Sequence, residues 1–264
     1  MKWSELTSVN FKKAVEECKG VCLLPLGVIE KHGDHLPLGT DLFTGMEIAC
    51  RAAEIEPAIV FPEYYFTQIH EAKHQPGCIA IKGEIMWKLL ENVCDEIARN
   101  GLNKIVFVNA HGGNNSFLPY FVQMMLEKQK DYVIYLPQVG GRDPEFEKRW
   151  SELRQTDEDG HAGERETSTI LAIRPELARL EDLSEKPGKS LGRLDHLPNV
   201  GTPVSWYARY PDHYCGDGHY GTEEKGKLLV DHSVKMLVQV IRAVKANTET
   251  ERLYKEFFSR ISSI

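Results

Sequence analysis

Glu30, His32, His35 and Asp41 fall within the twelve residues Glu30-Lys31-His32-Gly33-Asp34-His35-Leu36-Pro37-Leu38-Gly39-Thr40-Asp41. Carboxylate and imidazole both donate lone pairs, a combination that suits a borderline or hard divalent cation. The glycines and proline in this stretch read as a loop. It follows the apolar run Val21-Cys22-Leu23-Leu24-Pro25-Leu26, which reads as a buried strand. Alone, the stretch could be a solvated polar loop. Two later segments add to it: His111 in Asn109-Ala110-His111-Gly112-Gly113-Asn114, and His161 with Glu164 in His161-Ala162-Gly163-Glu164. Each has a plain explanation by itself. His111 beside two glycines could be a turn residue, Asp41 an N-cap, and Glu164 and Glu166 a complement to a helix dipole. Converging on one edge, however, several carboxylates without cations would strongly raise one another's pKa values. A bound pair of metal ions removes that conflict.

Placing the three segments together requires an alternating α/β chain. Ser8–Glu17 reads as a short amphipathic helix with Ser8 as its cap, followed by the first strand and the polar loop. Residues 42–53 read as a helix with Asp41 at its start, 58–62 as a second strand, and 83–99 as a helix with apolar residues at helical spacing. Lys104-Ile105-Val106-Phe107-Val108-Asn109 is the clearest strand and ends at the His111 segment, with a helix over 117–127 and another strand over 132–136. Helices are also expected over 164–173, 223–245 and 251–258. Such alternation predicts a three-layer α/β/α architecture around a mainly parallel sheet. Right-handed crossovers then set the strand-exit loops along one edge, where open α/β sheets bind ligands. Residues 188–221 carry many Gly, Pro and aromatic residues and little periodicity, as functional or interfacial loops do. No linker divides the chain, which reads as a single domain over 1–264.

Composition excludes other classes. The 264 residues are 42% apolar, as in ordinary globular proteins. A formal charge of −7 argues against a nucleic-acid partner, which would need a basic face. No apolar stretch approaches the roughly 18 residues of a membrane span, and the N-terminal residues lack an apolar signal core. The six cysteines form no C-x-x-C pair and read as reduced, mostly buried thiols in a cytoplasmic protein.

Glu30-x-His32-Gly33-x-His35-Leu36-Pro37-x-Gly39-Thr40-Asp41, Asn109-x-His111-Gly112-Gly113-Asn114 and His161-Ala162-Gly163-Glu164-x-Glu166-Thr167-Ser168 closely resemble the creatininase (creatinine amidohydrolase) family, in its order and spacing. Weaker echoes at Pro76-Gly77 and from Gly216-Asp217-Gly218 to Lys225-Gly226 extend the similarity over most of the chain. The resemblance implies a binuclear metal centre that hydrolyses a carbon–nitrogen amide-type bond. It carries over Glu30, His32, Asp41 (as the bridging carboxylate), His111 and Glu164 as ligands, and His161 as the proton-transfer residue. It also implies a homo-oligomer, a hexamer among similar members. His35 reads either as an orienter of a ligand or as a bystander. Glu166 hydrogen-bonds a ligand or caps its helix, and Asn114 and His74 are further candidates for contact with ligands or substrate. The chemistry agrees. Two divalent ions roughly 3.5–4 Å apart can share a water and lower its pKa toward 7, and a nearby His can protonate the departing nitrogen. Mixed oxygen and nitrogen ligation favours zinc or manganese, with iron also suitable.

The chain departs from creatinine-processing members, which resemble His-Tyr-Glu-Asn at the second motif, where Gly113 stands here. Acidic or small residues (Asp157, Glu158, Asp159, Gly160) precede His161 where an aromatic wall would suit a flat ring, and Lys73-His74 and Gly77-Cys78 replace the usual Glu-His and Gly-Thr. These differences argue against creatinine itself and leave another cyclic amide, a formamide or a small peptide. Two other readings are a two-metal phosphoesterase and a metal-stabilised oligomer subunit without turnover. His70, His74, His196, His213 and His219 lie in loops that could ring the pocket, with an exposed surface position the preferred reading for each. Trp206, Tyr207, Tyr210 and Tyr214 read as a pocket wall or, in preference, a subunit interface. Lys186, Lys189 and Arg193 read as solvated.

Overall fold

β1 (Val21–Leu26) is buried at every residue, and its side chains alternate between two cores. Cys22, Leu24 and Leu26 pack on one face of the sheet, and Val21 and Leu23 on the other. β3 (Lys104–Asn109) does the same, with Ile105 and Phe107 on the first face and Val106 and Val108 on the second. Burial on both faces is why these strands are continuously apolar rather than alternating in polarity. The structure is a computed structural model and describes residues 1–137 and 143–263. With β2 (Ile59–Val60) and β4 (Val133–Tyr135), the strands form a parallel sheet in the order β2-β1-β3-β4.

α1 (Ser8–Glu17), α3 (Gly83–Arg99) and α4 (Asn114–Met124) cover the first face. α2 (Thr40–Ile55) and the long α8 (Glu223–Ala246) cover the second. The expected three layers are therefore present. α5 (Pro144–Leu153), α6 (Glu164–Ile173), the short α7 (Ser205–Arg209) and α9 (Glu249–Ile261) complete the α-helices of the described residues. Boundaries differ from expectation by a few residues, and the cap of α1 is Thr7, not Ser8. Its hydroxyl accepts from the Asn10 N–H at 3.3 Å.

Chain order reverses between β1 and β3, so the exits of these neighbouring strands diverge and leave a crevice. Leu26 pairs with Asn109 at the last register position, so the loops carrying residues 27–39 and 110–113 leave the sheet side by side. At the opposite end, buried Lys104 donates to the carbonyls of Val244 (3.1 Å) and Asn247 (2.8 Å), closing the C-terminus of α8. α6 lies against α8 at Gly226. A Cβ there would sit 1.8 Å from the Ser168 carbonyl oxygen, so no side chain fits between the two backbones. The six cysteines are free thiols, four of them buried.

Candidate metal centre

Three segments build the site. The loop after β1 supplies Glu30 and His32, and Asp41 stands in the first turn of α2. His111 comes from the turn between β3 and α4. The third segment, ahead of α6, is stitched by backbone hydrogen bonds to a distant one. His161 N–H donates to the Cys215 carbonyl at 2.8 Å and Cys215 N–H to the His161 carbonyl at 2.9 Å. This pairing sets His161 beside His213. Ala162 (φ 56°) and His213 (φ 54°) both adopt the left-handed conformation, which is costly for residues with a Cβ. The pairing around them keeps both in place.

The side chains converge tightly and are all but removed from solvent. Asp41 lies between two imidazoles, with Oδ1 3.2 Å from His32 Nε2 and Oδ2 2.9 Å from His111 Nδ1. The same His111 Nδ1 is 2.9 Å from Glu30 Oε1. His32 Nδ1 donates to the Glu30 carbonyl at 3.3 Å, which leaves Nε2 facing Asp41 and, at 3.8 Å, Glu166 Oε2. His161 Nε2 donates to the Lys31 carbonyl at 2.8 Å, so its Nδ1 faces inward, 3.8 Å from Glu166 Oε2. Glu30, Asp41 and His111 form one group with ligand atoms within 4.8 Å of each other, and His32, His161 and Glu166 form another.

The electrostatics suit cations. Burial opposes charge on Glu30, yet His111, His213 and His32 outweigh it and hold its carboxyl well below the usual range. Burial opposes a charged His32 too, but the carboxylates of Asp41, Glu166 and Glu30 push its pKa up to about 10. His111 is raised well above its ordinary value by Asp41 and Glu30 against the same penalty. His161 goes the other way, because burial and then the neighbouring His32 lower it. Glu30 Oε1 and Asp41 Oδ2 are buried without a hydrogen-bond partner although both face His111 Nδ1. One ring nitrogen cannot serve two such oxygens as a donor. A divalent cation among the three would satisfy all of them, so the donor set fits the metal that the sequence implies.

Five ligands were expected from the sequence. Glu30, His32, Asp41 and His111 come together, and Glu164 does not. Its carboxylate accepts from Lys225 Nζ (2.5 Å), from the Thr156 hydroxyl (2.7 Å) and from the backbone N–H groups of Gln155 and Thr156. Lys225 and these hydrogen bonds overcome burial and keep its pKa below the ordinary value. Residues 164 and 166 are about 200° apart around the helix, so only Glu166 faces the cluster. Its Oε2 also accepts from the Ala162 N–H, which ties it to the start of α6. His35 lies outside the cluster. Its Nε2 sits 2.8 Å from the Thr167 hydroxyl, and burial depresses its pKa to about 4. Asn114 is buried and donates to Thr67 and Asn109, holding the His111 turn, while His74 is exposed and outside the cavity lining, 2.8 Å from the Pro211 carbonyl.

His213 was read as a surface residue and is in fact buried against the cluster. Trp206 Nε1–H donates to its Nδ1 at 2.8 Å, so its Nε2 carries the proton and donates to Glu30 Oε2 at 2.5 Å. No spacing rule reaches it from the ligand motifs. The one local signal was the tryptophan seven residues upstream. Trp206 lines the cavity, as a pocket wall would, and Tyr210 and Tyr214 are buried within the chain. Arg193, read as solvated, fastens α7 by donating to the Ala208 carbonyl at 2.7 Å and to that of Tyr207. The cavity is about 320 Å³ and is lined by Glu30, Glu71, His111, Glu166, Trp206 and His213 together with glycines and His161.

The family model described as creatinine amidohydrolase matches residues 4–241. The chain belongs to the creatininase family. It is therefore a hydrolase of a family that acts on carbon–nitrogen bonds. The creatinine amidohydrolase of Pseudomonas putida is 24% identical over 257 residues, 90% of this chain and 95% of that protein. The mycofactocin precursor peptide peptidase of Mycolicibacterium smegmatis is 31% identical over 167 residues, 61% of each chain. A crystal structure of creatinine amidohydrolase superposes with a TM-score of 0.78 at 23% identity, covering 94% of this chain and 98% of that one. Solved creatininases of the same fold include zinc–zinc and manganese forms.

Proposed function

We propose that this creatininase-family chain is a divalent-metal-dependent amidohydrolase that cleaves a small cyclic amide, formamide or short amide. The observation that carries this reading is Asp41, whose two oxygens each face a ring nitrogen of a different buried imidazole. It is the carboxylate that would lie between two ions. Glu30 and His111 would complete one coordination group, His32 and Glu166 the other, with Glu166 in the role expected of Glu164. Zinc, manganese or iron suits these donors. Bound there, the ions would supply a Lewis acid and an acidified water.

The chain's own groups do the rest. His161, neutral because burial and His32 lower its pKa, presents Nδ1 to the cavity. From there it can take a proton from the nucleophilic water and hand it to the departing nitrogen. His213, locked by Trp206, holds Glu30 in orientation and acts as a positioning residue. Among the described residues no Lys or Arg lines the cavity, which weighs against the phosphoesterase alternative. Gly113, where a carboxylate stands in creatinine-processing members, weighs against creatinine. We also expect a homo-oligomer, a hexamer by family resemblance, and a cytoplasmic location in keeping with six free thiols. No helix of the described residues is long and apolar enough to cross a membrane.

Metal analysis together with an amide panel and a phosphoester panel tests this reading. About two ions per chain and turnover confined to amides are expected. His161→Ala should keep the metal and lose about 10²-fold or more in rate. Full turnover in that variant, or phosphoester cleavage alone, refutes the assignment.

A further inference from the structure

We infer that Trp206 fixes which ring nitrogen of His213 carries the proton, and thereby keeps His161 from being captured by a cation beyond the two of the centre. This rests on the metal-dependent reading and adds to it a positioning residue that guards the proton carrier. Besides the two groups already described, Glu30, His161 and His213 form a third, with a carboxylate oxygen and two imidazole nitrogens within 4.8 Å of one another. All three residues are buried, and the His161 and His213 ring centroids are 4.3 Å apart. One carboxylate and two imidazoles are a donor set that holds zinc in many proteins. An ion here would be harmful, because His161 would have to give up Nδ1, the atom with which it moves protons.

The hydrogen bonds decide whether such a site can form. A metal needs a lone pair from each donor. His161 has one on Nδ1, since its Nε2–H is engaged by the Lys31 carbonyl at 2.8 Å. His213 has none to offer. An indole N–H can only donate, so Trp206 Nε1–H, 2.8 Å from His213 Nδ1, obliges that nitrogen to accept. The ring proton is therefore on Nε2 and is donated to Glu30 Oε2 at 2.5 Å. That bond also occupies the carboxylate oxygen, so Glu30 meets the centre through Oε1, 2.9 Å from His111 Nδ1. A hydroxyl in place of the indole could donate or accept and would leave the choice of tautomer open. The indole is itself held. Its helix α7 is fastened by Arg193, the Tyr210 ring packs on it with centroids 4.7 Å apart, and the His213 N–H donates to the Tyr210 carbonyl at 3.0 Å.

Nitrogen-15 NMR of the zinc-loaded full-length chain reads the tautomer, and metal analysis over a zinc series counts the ions. In the wild type, His213 is expected to carry its proton on Nε2 and zinc to saturate at about two ions per chain. Trp206→Phe keeps an aromatic ring and removes the donor, so it should take up about one ion more than the wild type under the same conditions. Excess zinc should then slow its turnover by about 10²-fold, as loss of a general acid–base does. The double variant Trp206→Phe, His213→Gln should return to the wild-type count. Should Trp206→Phe melt early, Trp206→Leu, which also lacks the donor, provides the same comparison. A wild-type His213 protonated on Nδ1, or no gain of an ion in either single variant, overturns the inference. A wild-type chain that takes up no zinc refutes the metal-dependent reading and this inference with it. Two ions in the wild type with no gain in the variants refutes this one alone.

Discussion

Glu164 and Glu166 show what a motif can and cannot specify. Both sit in the first turn of α6, both are acidic, and the segment His161-Ala162-Gly163-Glu164 draws attention to the first. Helix phase decides between them, because the side turned toward His32 and His161 holds only Glu166. Glu166→Gln is expected to lower metal content by about one ion per chain, read by atomic emission. Glu164→Gln should retain the metal and lose stability, and the reverse pattern would contradict the geometry. The four remaining candidate ligands were legible because Glu30, His32 and His111 lie in loops leaving the neighbouring strands β1 and β3, and Asp41 opens the helix that follows the first of these loops. His213 was not legible, since only folding of residues 188–221 brings it under Glu30. Titration offers a second residue-level prediction. His32, with its pKa near 10, and His111, also raised, are protonated at neutral pH before metal enters. Each must lose its proton to become a ligand, so affinity rises with pH and uptake releases protons. Calorimetry at pH 7 in two buffers of different ionisation enthalpy should show a net release, and identical heats in both would count against it.

Among the elements, β1, β3, α3 and α6 could be read directly, because long apolar runs and helical periodicity carry strong local signals. α7 could not, since it has five residues and is fixed by Arg193 and Trp206 rather than by its own propensity. The element that sets the third segment is α8. Lys225 in its first turn grips Glu164 and thereby fixes the start of α6 and the residues before His161. Glu164 is held below the ordinary carboxylate pKa, so its share of the stability is complete above about pH 4.3 and fades as the pH falls through its folded-state value. Removing Lys225 leaves that carboxylate buried and unpaired. Lys225→Met is expected to cost about 3–5 kcal/mol in urea denaturation at pH 7, and a loss below about 1 kcal/mol would show that the pair is dispensable.

For the molecule as a whole, the sheet order puts every element of the site at one end, so metal and fold are thermodynamically linked. Ions that bind only the folded chain stabilise it by about 4 kcal/mol each at a thousandfold excess over Kd. Zinc or manganese should accordingly raise the melting temperature, and chelation should lower it, as differential scanning calorimetry will show. An unchanged melting temperature would mean that the carboxylates do not bind a cation. Sedimentation velocity will show whether the chain assembles into a hexamer. One contact bears on how this scaffold could acquire new substrates. Because α6 and α8 touch backbone to backbone at Gly226, the helix bearing Glu166 is riveted to the body of the protein and cannot swing aside to admit a larger molecule. Diversification of substrate range, by selection or in the laboratory, therefore has to proceed through the peripheral turns around the cavity, leaving the hydrolytic apparatus untouched.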